Sequence, residues 1–574
     1  MEYGAKMIKS IVCLFVFFIS SQTLASETDF SLHIHVQYQQ KTDTWKVRYE
    51  LPIAGDHVAF SRQSNFDRRK LYKIDESKFK WDKAGDVLLI RSVDGSQFKT
   101  LDIIFSSFYD FIQKDYTHNL RYSDGSVLLY TNHLALGANI IEDESASPIG
   151  TSFSGTLFHF YGPQQNIIFL GNTYKEKAQW LQEGDGTYIY FGNILPIETE
   201  NFIAIVDPML PKWAWDNTQE YFPKLFNYYE QQTAQSLNFK PVVFFNYDHI
   251  SADYSNYSGG TLQGLVQLTV NGSRWKTKNA EQFNELFHFL AHEAAHFWNG
   301  QMFTFEDQAH SWMHEGGADA FANFAMREFG LLNSTQMMQK FEEAANSCVL
   351  NKGKESLTQS AKLWKYRNYY TCGATMALAS HLAIRTKEPS KSFFDVWKRM
   401  FNVNMQDKTY NQQDYFDALS HVTSSTALSS ALEMFSNQTN IDNYSVVTAW
   451  FEQTEISITS SHVYPASFTK HWGKQVIANL MQMHCQRISF SSYDDYIETY
   501  AIEGCKAFEN SSEIQYLSGY DIFLEGIDAY NFFREKCELK STVKLQNRQK
   551  VDIAEIACLS EVPSVAPYLK FETR

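Results

Sequence analysis

The sequence has no excess of positive charge. Its 574 residues carry 50 lysines and arginines against 65 aspartates and glutamates, a formal net charge of −15 at pH 7. A surface with this balance repels the phosphates of nucleic acids and the head groups of anionic lipids, so we expect neither as a partner. Acidity spread this widely is typical of a solvated surface and does not identify a substrate.

Long apolar runs are also missing. The most apolar stretch, residues 11–19, is well short of the roughly 20 residues that span a bilayer. Lysines precede it and small residues follow it up to Ala25, which is the plan of a secretory signal peptide, so we predict that residues 1–25 are removed. An uncleaved anchor is the alternative. No lipid-attachment cysteine lies at the cleavage site, and we expect a periplasmic or secreted protein without a membrane span.

The cysteines form no Cys-x-x-Cys pair of the kind that clamps a metal ion. One of the seven, Cys13, lies in the predicted signal peptide, and the even number that remains favours disulfides in an exported chain. Sequence cannot select among the alternative pairings, but the clustering favours local bonds. We predict a bond between Cys348 and Cys372, and the others among Cys485, Cys505, Cys537 and Cys558.

Internal repeats, low-complexity tracts and long linkers are absent from the sequence, so domains are inferred from changes in periodicity. Apolar and polar residues alternate over residues 26–205, mostly helical periods follow over 206–460, and 461–574 mixes short segments of both kinds. These patterns predict an α+β multidomain protein with a β-rich N-terminal domain, a mostly helical middle domain and a small mixed C-terminal domain. Within the middle domain GGTLQGLVQLTV is predicted as a strand, and helices are predicted over 279–300, 312–329, 370–386 and 392–403.

Two histidines in the first predicted strand, His33 and His35, share one strand face. Imidazoles so placed suit a metal ion, but no third ligand is nearby in sequence. We therefore interpret them as part of a solvated strand face.

The segment AHEAAHFWNG contains the residues with the clearest chemistry. His292 and His296 are one helical turn apart on one face, so neutral imidazoles at both positions can reach one zinc ion at roughly 2.0–2.1 Å. Glu293 points to the side where a metal-activated water would lie and is predicted to be the catalytic base. A buried helix that merely carries two histidines is the alternative.

A third ligand is predicted in the helix SWMHEGGADAFANFAMREFG. Glu315 follows His296 with 18 residues between them. Asp319, one turn later, is predicted to accept a hydrogen bond from a ligand histidine, with an exposed helix carboxylate as the alternative. His314 cannot share the role of Glu315, because adjacent helix positions point about 100° apart.

These motifs resemble the gluzincin metallopeptidases, in which HExxH is followed by a glutamate ligand on the next helix. HEAAHFWNG resembles the corresponding segment of the glycyl aminopeptidase family. More distantly, the chain also resembles the aminopeptidase N family. The resemblance implies one Zn²⁺ per chain, peptide or protein substrates, a thermolysin-like catalytic domain over 206–460 and a PDZ-like domain over 461–574. It also implies that Tyr370 stabilises the oxyanion, with Tyr366 and Tyr369 as competitors and with Cys372 where the family has lysine.

The Gly-rich strand before the zinc helix departs from the family pattern. Residues 257–264 contain Gly259, Gly260, Thr261 and Gln263 as candidate substrate-binding positions, but none is the glutamate that grips a free amine. The family resemblance implies an aminopeptidase, whereas the missing glutamate favours an endopeptidase or peptide trimmer as an alternative. A non-catalytic peptide-binding envelope protein is a further alternative. An ordinary hairpin without a substrate role is the alternative for the strand itself. The sequence predicts no oligomeric state.

Overall fold

The computed structural model describes residues 31–60, 67–84, 87–107, 116–137, 155–182, 186–248, 255–493, 495–502 and 504–574. The predicted signal peptide, residues 1–25, lies outside these described residues. Every helix within them is too short or too polar to cross a bilayer.

The chain divides into two compact units. The first takes the described residues up to 113 together with 130–167 and 174–186, and the second takes 114–129, 168–173 and 187–574. The predicted domain boundaries at residues 205 and 460 stay predictions.

The N-terminal region is β-rich, as predicted. Its elements in chain order are β1 (Leu32–Gln39), β2 (Thr44–Gly55), β3 (His57–Ala59), α1 (Arg68–Leu71), β4 (Phe79–Ala84), β5 (Val87–Ser92), β6 (Phe98–Ser106), β7 (Asn119–Arg121), β8 (Val127–Tyr130), β9 (Thr156–Phe169), β10 (Asn172–Gln182), β11 (Tyr188–Gly192), β12 (Ile197–Glu198) and β13 (Ile203–Val206).

The first unit is built around strands in the order β6-β2-β1-β9, with β10 paired to β9. Strand β1 runs antiparallel to β2 and parallel to β9. Its period-two pattern buries Leu32, Ile34 and Val36 and leaves His33 and His35 half-exposed on the opposite face. A second sheet has the order β3-β5-β4.

The second unit continues with a mostly helical segment. Its elements are α2 (Lys212–Thr233), β14 (Val242–Asp248), β15 (Asn256–Leu262), β16 (Leu265–Asn271), α3 (Ala280–His296), β17 (Thr304–Phe305), α4 (Trp312–Glu328), α5 (Ser334–Lys352), α6 (Arg367–Lys387), α7 (Phe393–Val403), β18 (Thr409–Tyr410), α8 (Gln412–Thr423), α9 (Ala427–Asn437), α10 (Asn443–Trp450) and β19 (Ile456–Ser461). The four predicted helices correspond to α3, α4, α6 and α7.

A five-stranded sheet with the order β12-β13-β14-β16-β15 supports the helices. Strands β13, β14 and β16 are parallel, and β15 is an antiparallel edge strand. The prediction of one strand over GGTLQGLVQLTV is wrong, because the segment folds into the hairpin of β15 and β16. Gly264 takes a φ of 67° in the turn, a left-handed conformation that glycine adopts without a steric penalty.

The C-terminal part combines helices with small sheets. Its elements are α11 (Ala466–Cys485), β20 (Phe490–Ser492), β21 (Ile497–Thr499), β22 (Ser512–Ile514), β23 (Tyr516–Leu517), β24 (Tyr520–Asp521), α12 (Gly526–Glu538), β25 (Thr542–Gln546), β26 (Asp552–Ala557) and β27 (Tyr568–Thr573). The expectation of only short segments is wrong for α11, which has 20 residues. A PDZ-like fold for this part stays a prediction.

Three disulfides confirm the predicted local pairing. They join Cys348 to Cys372, Cys485 to Cys505, and Cys537 to Cys558. The first bond ties α5 to α6, so it restrains the helix on which Tyr370 lies.

Candidate active site

Helix α3 positions the two motif histidines. Asn279 caps it by accepting a hydrogen bond from the amide of Gln282, and the apolar positions Leu286 and Leu290 are fully buried. The cap and the buried apolar face hold in place the helix that carries His292 and His296. These two residues have 6% and 8% of their surfaces exposed.

A widened turn follows His296 directly. Residues Phe297–Met302 form a π-helical turn, a feature that is frequent at functional sites. It places Asn299 so that its side-chain oxygen lies 3.0 Å from Nδ1 of His296. Gly300 leaves room for the ring of His314, since a Cβ there would lie 2.8 Å from that ring.

Glycines allow α4 and α6 to cross in close contact. A Cβ on Gly316 would lie 2.3 Å from the Cα of Gly373, and one on Gly373 would lie 2.0 Å from the carbonyl oxygen of Trp312. No larger residue fits either position without moving a backbone. The crossing brings Glu315, in the first turn of α4, to the same place as Tyr370, in the first turn of α6.

The three predicted metal ligands converge. Nε2 of His292 and Nε2 of His296 are 3.1 Å apart, and the Oε2 atom of Glu315 lies 3.3 Å from the first and 3.6 Å from the second. Tetrahedral zinc with bonds of roughly 2.0–2.1 Å requires ligand atoms about 3.3–3.4 Å apart. Two imidazoles and one carboxylate at these separations fit a zinc ion.

Each ligand histidine has a partner on its other nitrogen. Nδ1 of His292 lies 2.8 Å from a carboxylate oxygen of Asp319, and Nδ1 of His296 faces Asn299. Such partners fix the ring orientation and leave the Nε2 lone pair for a metal. Asp319 is a partly buried residue of the cluster and not an exposed helix carboxylate.

The electrostatics favour an ionised carboxylate at the cluster. Burial opposes ionisation of Glu315, but hydrogen bonds from His292 and His296 outweigh it and hold the pKa of Glu315 well below its usual range. Burial also opposes ionisation of Asp319, but the hydrogen bond with His292 outweighs it, so the pKa of Asp319 is lowered. Both acids therefore carry negative charge at neutral pH.

Glu293 and Tyr370 flank the cluster. The hydroxyl of Thr261 lies 2.8 Å from a carboxylate oxygen of Glu293. The ring of Tyr370 stacks on His292 with centroids 5.6 Å apart. Burial, followed by the charges of Glu315 and Glu293, raises the pKa of Tyr370, so its hydroxyl stays protonated and able to donate a hydrogen bond.

The two competing tyrosines lie elsewhere. Tyr369 is buried, and its hydroxyl accepts a hydrogen bond from the amide of Ala361. Tyr366 is 39% exposed. Of the three tyrosines, Tyr370 is the one whose ring contacts a predicted metal ligand.

His314 is a neighbour of the cluster. Its ring stacks on His296 with centroids 4.1 Å apart, and its Nδ1 lies 2.9 Å from the carbonyl oxygen of Asn299. Burial and the nearby His296 lower the pKa of His314 to about 3. A neutral ring here packs against His296 without adding charge.

The Gly-rich strand β15 reaches the site through Thr261, which contacts Glu293. Gly259 faces its partner strand, where a Cβ would lie 2.0 Å from the carbonyl oxygen of Gln267. Gly260 lies under the ring of Tyr116, whose hydroxyl donates to the carbonyl oxygen of Thr261. Gly259 is thus required by a close approach within the protein itself, whereas at Gly260 a Cβ would lie 3.3 Å from the ring of Tyr116. Gln263 lies in the hairpin turn and is exposed.

Two contributors were not predicted from sequence, Asn299 and Tyr116. Asn299 had a local signal, since it lies three residues after His296 in the segment that carries the family resemblance. Tyr116 is distant in sequence from β15 and is brought there only by the tertiary fold.

Comparison with known proteins gives likeness of fold only. No protein-family model and no curated protein matches the chain. Among solved structures, it is similar to an aminopeptidase N family protein from Idiomarina loihiensis, with 9% sequence identity and a TM-score of 0.57 over 94% of this chain and 98% of that one. It also matches native yeast LTA4 hydrolase, with 12% identity and a TM-score of 0.41 over 81% and 74% of the two chains.

The first of these structures shares its architecture with this chain over nearly the whole length of both. This agrees with the more distant of the two resemblances stated from the sequence. The assignment to the glycyl aminopeptidase family stays a prediction.

Proposed function

We propose that this chain is an exported zinc metallopeptidase of aminopeptidase type. The observation that carries the proposal is the convergence of His292, His296 and Glu315, with donor atoms 3.1–3.6 Å apart, beside Glu293 and Tyr370. The predicted signal peptide and the three disulfides support export, because such bonds persist in oxidising compartments.

In this proposal His292, His296 and Glu315 hold one zinc ion. When bound, zinc polarises a carbonyl oxygen and makes water acidic enough to act as a nucleophile near neutral pH. Glu293 takes the proton from the attacking water and later delivers it to the leaving amine. Tyr370 donates a hydrogen bond to the oxygen that becomes negative in the transition state.

The choice of an aminopeptidase draws support from the protein of the same fold, which is named as an aminopeptidase N family protein. Strand β15 supports extended peptides as substrates, because an edge strand offers backbone groups for β-augmentation. We propose Gly259, Gly260, Thr261 and Gln263 as its contact positions.

An endopeptidase or peptide trimmer is the second candidate. Residues 257–264 contain no carboxylate to bind a free amine. Without a carboxylate there, the positively charged N-terminus of a peptide substrate has no ion-pair partner on the strand.

One comparison of substrates separates the two candidates. The purified protein, with its zinc content measured, is incubated with one set of peptides that have either free or acetylated N-termini. Cleavage restricted to free termini supports the aminopeptidase, and equal cleavage supports the endopeptidase. A zinc-loaded protein that binds these peptides but cleaves none would reject both in favour of a peptide-binding protein.

A further inference from the structure

One sheet face of the first unit carries a cluster of three histidines. His33 and His35 alternate along β1, and the parallel pairing of β1 with β9 places His159 directly opposite His35. His159, which is 126 residues from His33 in sequence, therefore supplies the third imidazole. No third ligand lies near His33 and His35 in sequence. All three side chains are half-buried.

The imidazole nitrogens lie close enough to share one ion. One nitrogen from each ring can be chosen so that all three lie within 4.8 Å of one another. Nε2 of His159 is 3.2 Å from Nδ1 of His33, and the rings of His35 and His159 stack with centroids 4.4 Å apart. Three ligands on one ion need separations of about 3.3 Å, which small rotations of half-exposed side chains provide.

A polar atom in the cluster has no hydrogen bond. Nε2 of His35 is shielded from solvent and has no hydrogen-bond partner in the described residues, although a carboxylate oxygen of Glu50 lies 3.4 Å away. Burying such a nitrogen without a partner costs free energy. Coordination to a cation would satisfy it, with the Glu50 carboxylate supplying negative charge beside the ion.

Gln179 supplies the outer partner that metal-binding histidines usually have. Its side-chain nitrogen lies 3.0 Å from Nδ1 of His159. The amide can rotate to present its oxygen to an Nδ1–H group, which leaves Nε2 of His159 free as a ligand. This is the role that Asp319 and Asn299 play for the helical histidines.

We propose that His33, His35 and His159 form a second metal site, which binds a divalent transition-metal ion of the kind that prefers imidazole, Zn²⁺ or Cu²⁺. Calcium and magnesium are excluded as preferred ions, because they take oxygen ligands. The side chains of His35 and Glu50 are 41% and 49% exposed, so the site borders solvent although Nε2 of His35 is itself covered. The proposal does not depend on peptidase activity.

Copper binding to the mature chain tests the proposal. The His292→Ala/His296→Ala variant removes the helical ligands, so any specific site that remains is visible alone. After chelation and dialysis, this variant is titrated with Cu²⁺ and its paramagnetic resonance spectrum is recorded. We expect one equivalent bound and superhyperfine structure from three nitrogens. A spectrum typical of oxygen ligands alone would overturn the proposal.

Adding His35→Ala and His159→Ala to that variant identifies the ligands. The loss of affinity should exceed the roughly 10–100-fold that removal of an outer-shell partner costs. The matched control adds His462→Ala, which removes an exposed histidine of the second unit and should change nothing. Unchanged copper binding after loss of His35 and His159 would show adventitious binding elsewhere. Circular dichroism of each variant verifies that it is folded.

Discussion

In the part of the chain that the structure describes, two clusters of three side chains that could hold a metal ion are built in different ways. The helical cluster, His292, His296 and Glu315, lies largely buried between α3 and α4. The sheet cluster, formed by His33, His35 and His159, lies half-exposed on a sheet face. Their donor atoms lie within 3.6 Å in the first and within 4.8 Å in the second.

The difference lies in what surrounds the ligands. Both histidines of the helical cluster have a partner on Nδ1, whereas in the sheet cluster one amide, that of Gln179, plays this role. The helical cluster also has Thr261-bound Glu293 and the His292-stacked ring of Tyr370 beside it, the two side chains to which the proposed peptide hydrolysis assigns a role. We therefore expect a tightly held catalytic ion in the helical cluster and an exchangeable ion in the sheet cluster.

The largest effect is expected from Glu293→Gln. The amide keeps the shape of the side chain but cannot take a proton, so peptide hydrolysis should fall by about 10³-fold or more while zinc content is unchanged. Turnover is measured with the best substrate, and metal content by mass spectrometry. The control is Glu281→Gln in the exposed first turn of the same helix. Retained turnover in Glu293→Gln would reject the proposed mechanism.

Removal of the Cys348–Cys372 bond should destabilise the unit that contains the helical cluster and leave the sheet cluster unaffected. The bond joins residues 24 apart in sequence, and replacing both cysteines by serine should lower the free energy of unfolding of the second unit by about 2–4 kcal/mol. Denaturant unfolding measures the change. Copper binding by the sheet cluster should not change, and its loss would show that the two clusters depend on one another.

Tyr370→Phe should reduce kcat by about 10²-fold, because a donor to the developing negative charge is lost. KM should change little, since the interaction forms mainly in the transition state. Tyr369→Phe is the matched control on the same helix. An equal loss in the control would mean that the helix, and not the hydroxyl of Tyr370, matters.

The smallest effects concern the partners of the ligands. Asp319→Asn should weaken zinc binding by about 10–100-fold, because the ring of His292 loses its charged acceptor. Gln179→Ala should weaken copper binding at the sheet cluster by less, since water can replace an exposed amide. Both affinities are measured by competition with a chelator of known strength. A larger loss of affinity in Gln179→Ala than in Asp319→Asn would contradict the expectation that the helical cluster depends more on its outer partners.

The sequence predicted most of the helical cluster because its chemistry is local. A spacing of four residues places His292 and His296 on one face of any regular helix. Asp319 and Glu315 share a face of α4 for the same reason. Asn299 also follows from local spacing, but the π-helical turn on which it lies, where Gly300 packs closely against the ring of His314, does not.

The sequence by itself determined the alternation that exposes His33 and His35, the helix that carries the HExxH motif, and the supply of cysteines for local disulfides. Tertiary structure alone decided that His159 lies beside His35 and that Gly316 and Gly373 bring Glu315 and Tyr370 together. The physical reason is range. Periodicity fixes which side chains share a face, whereas strand pairing and helix crossing depend on how distant segments pack.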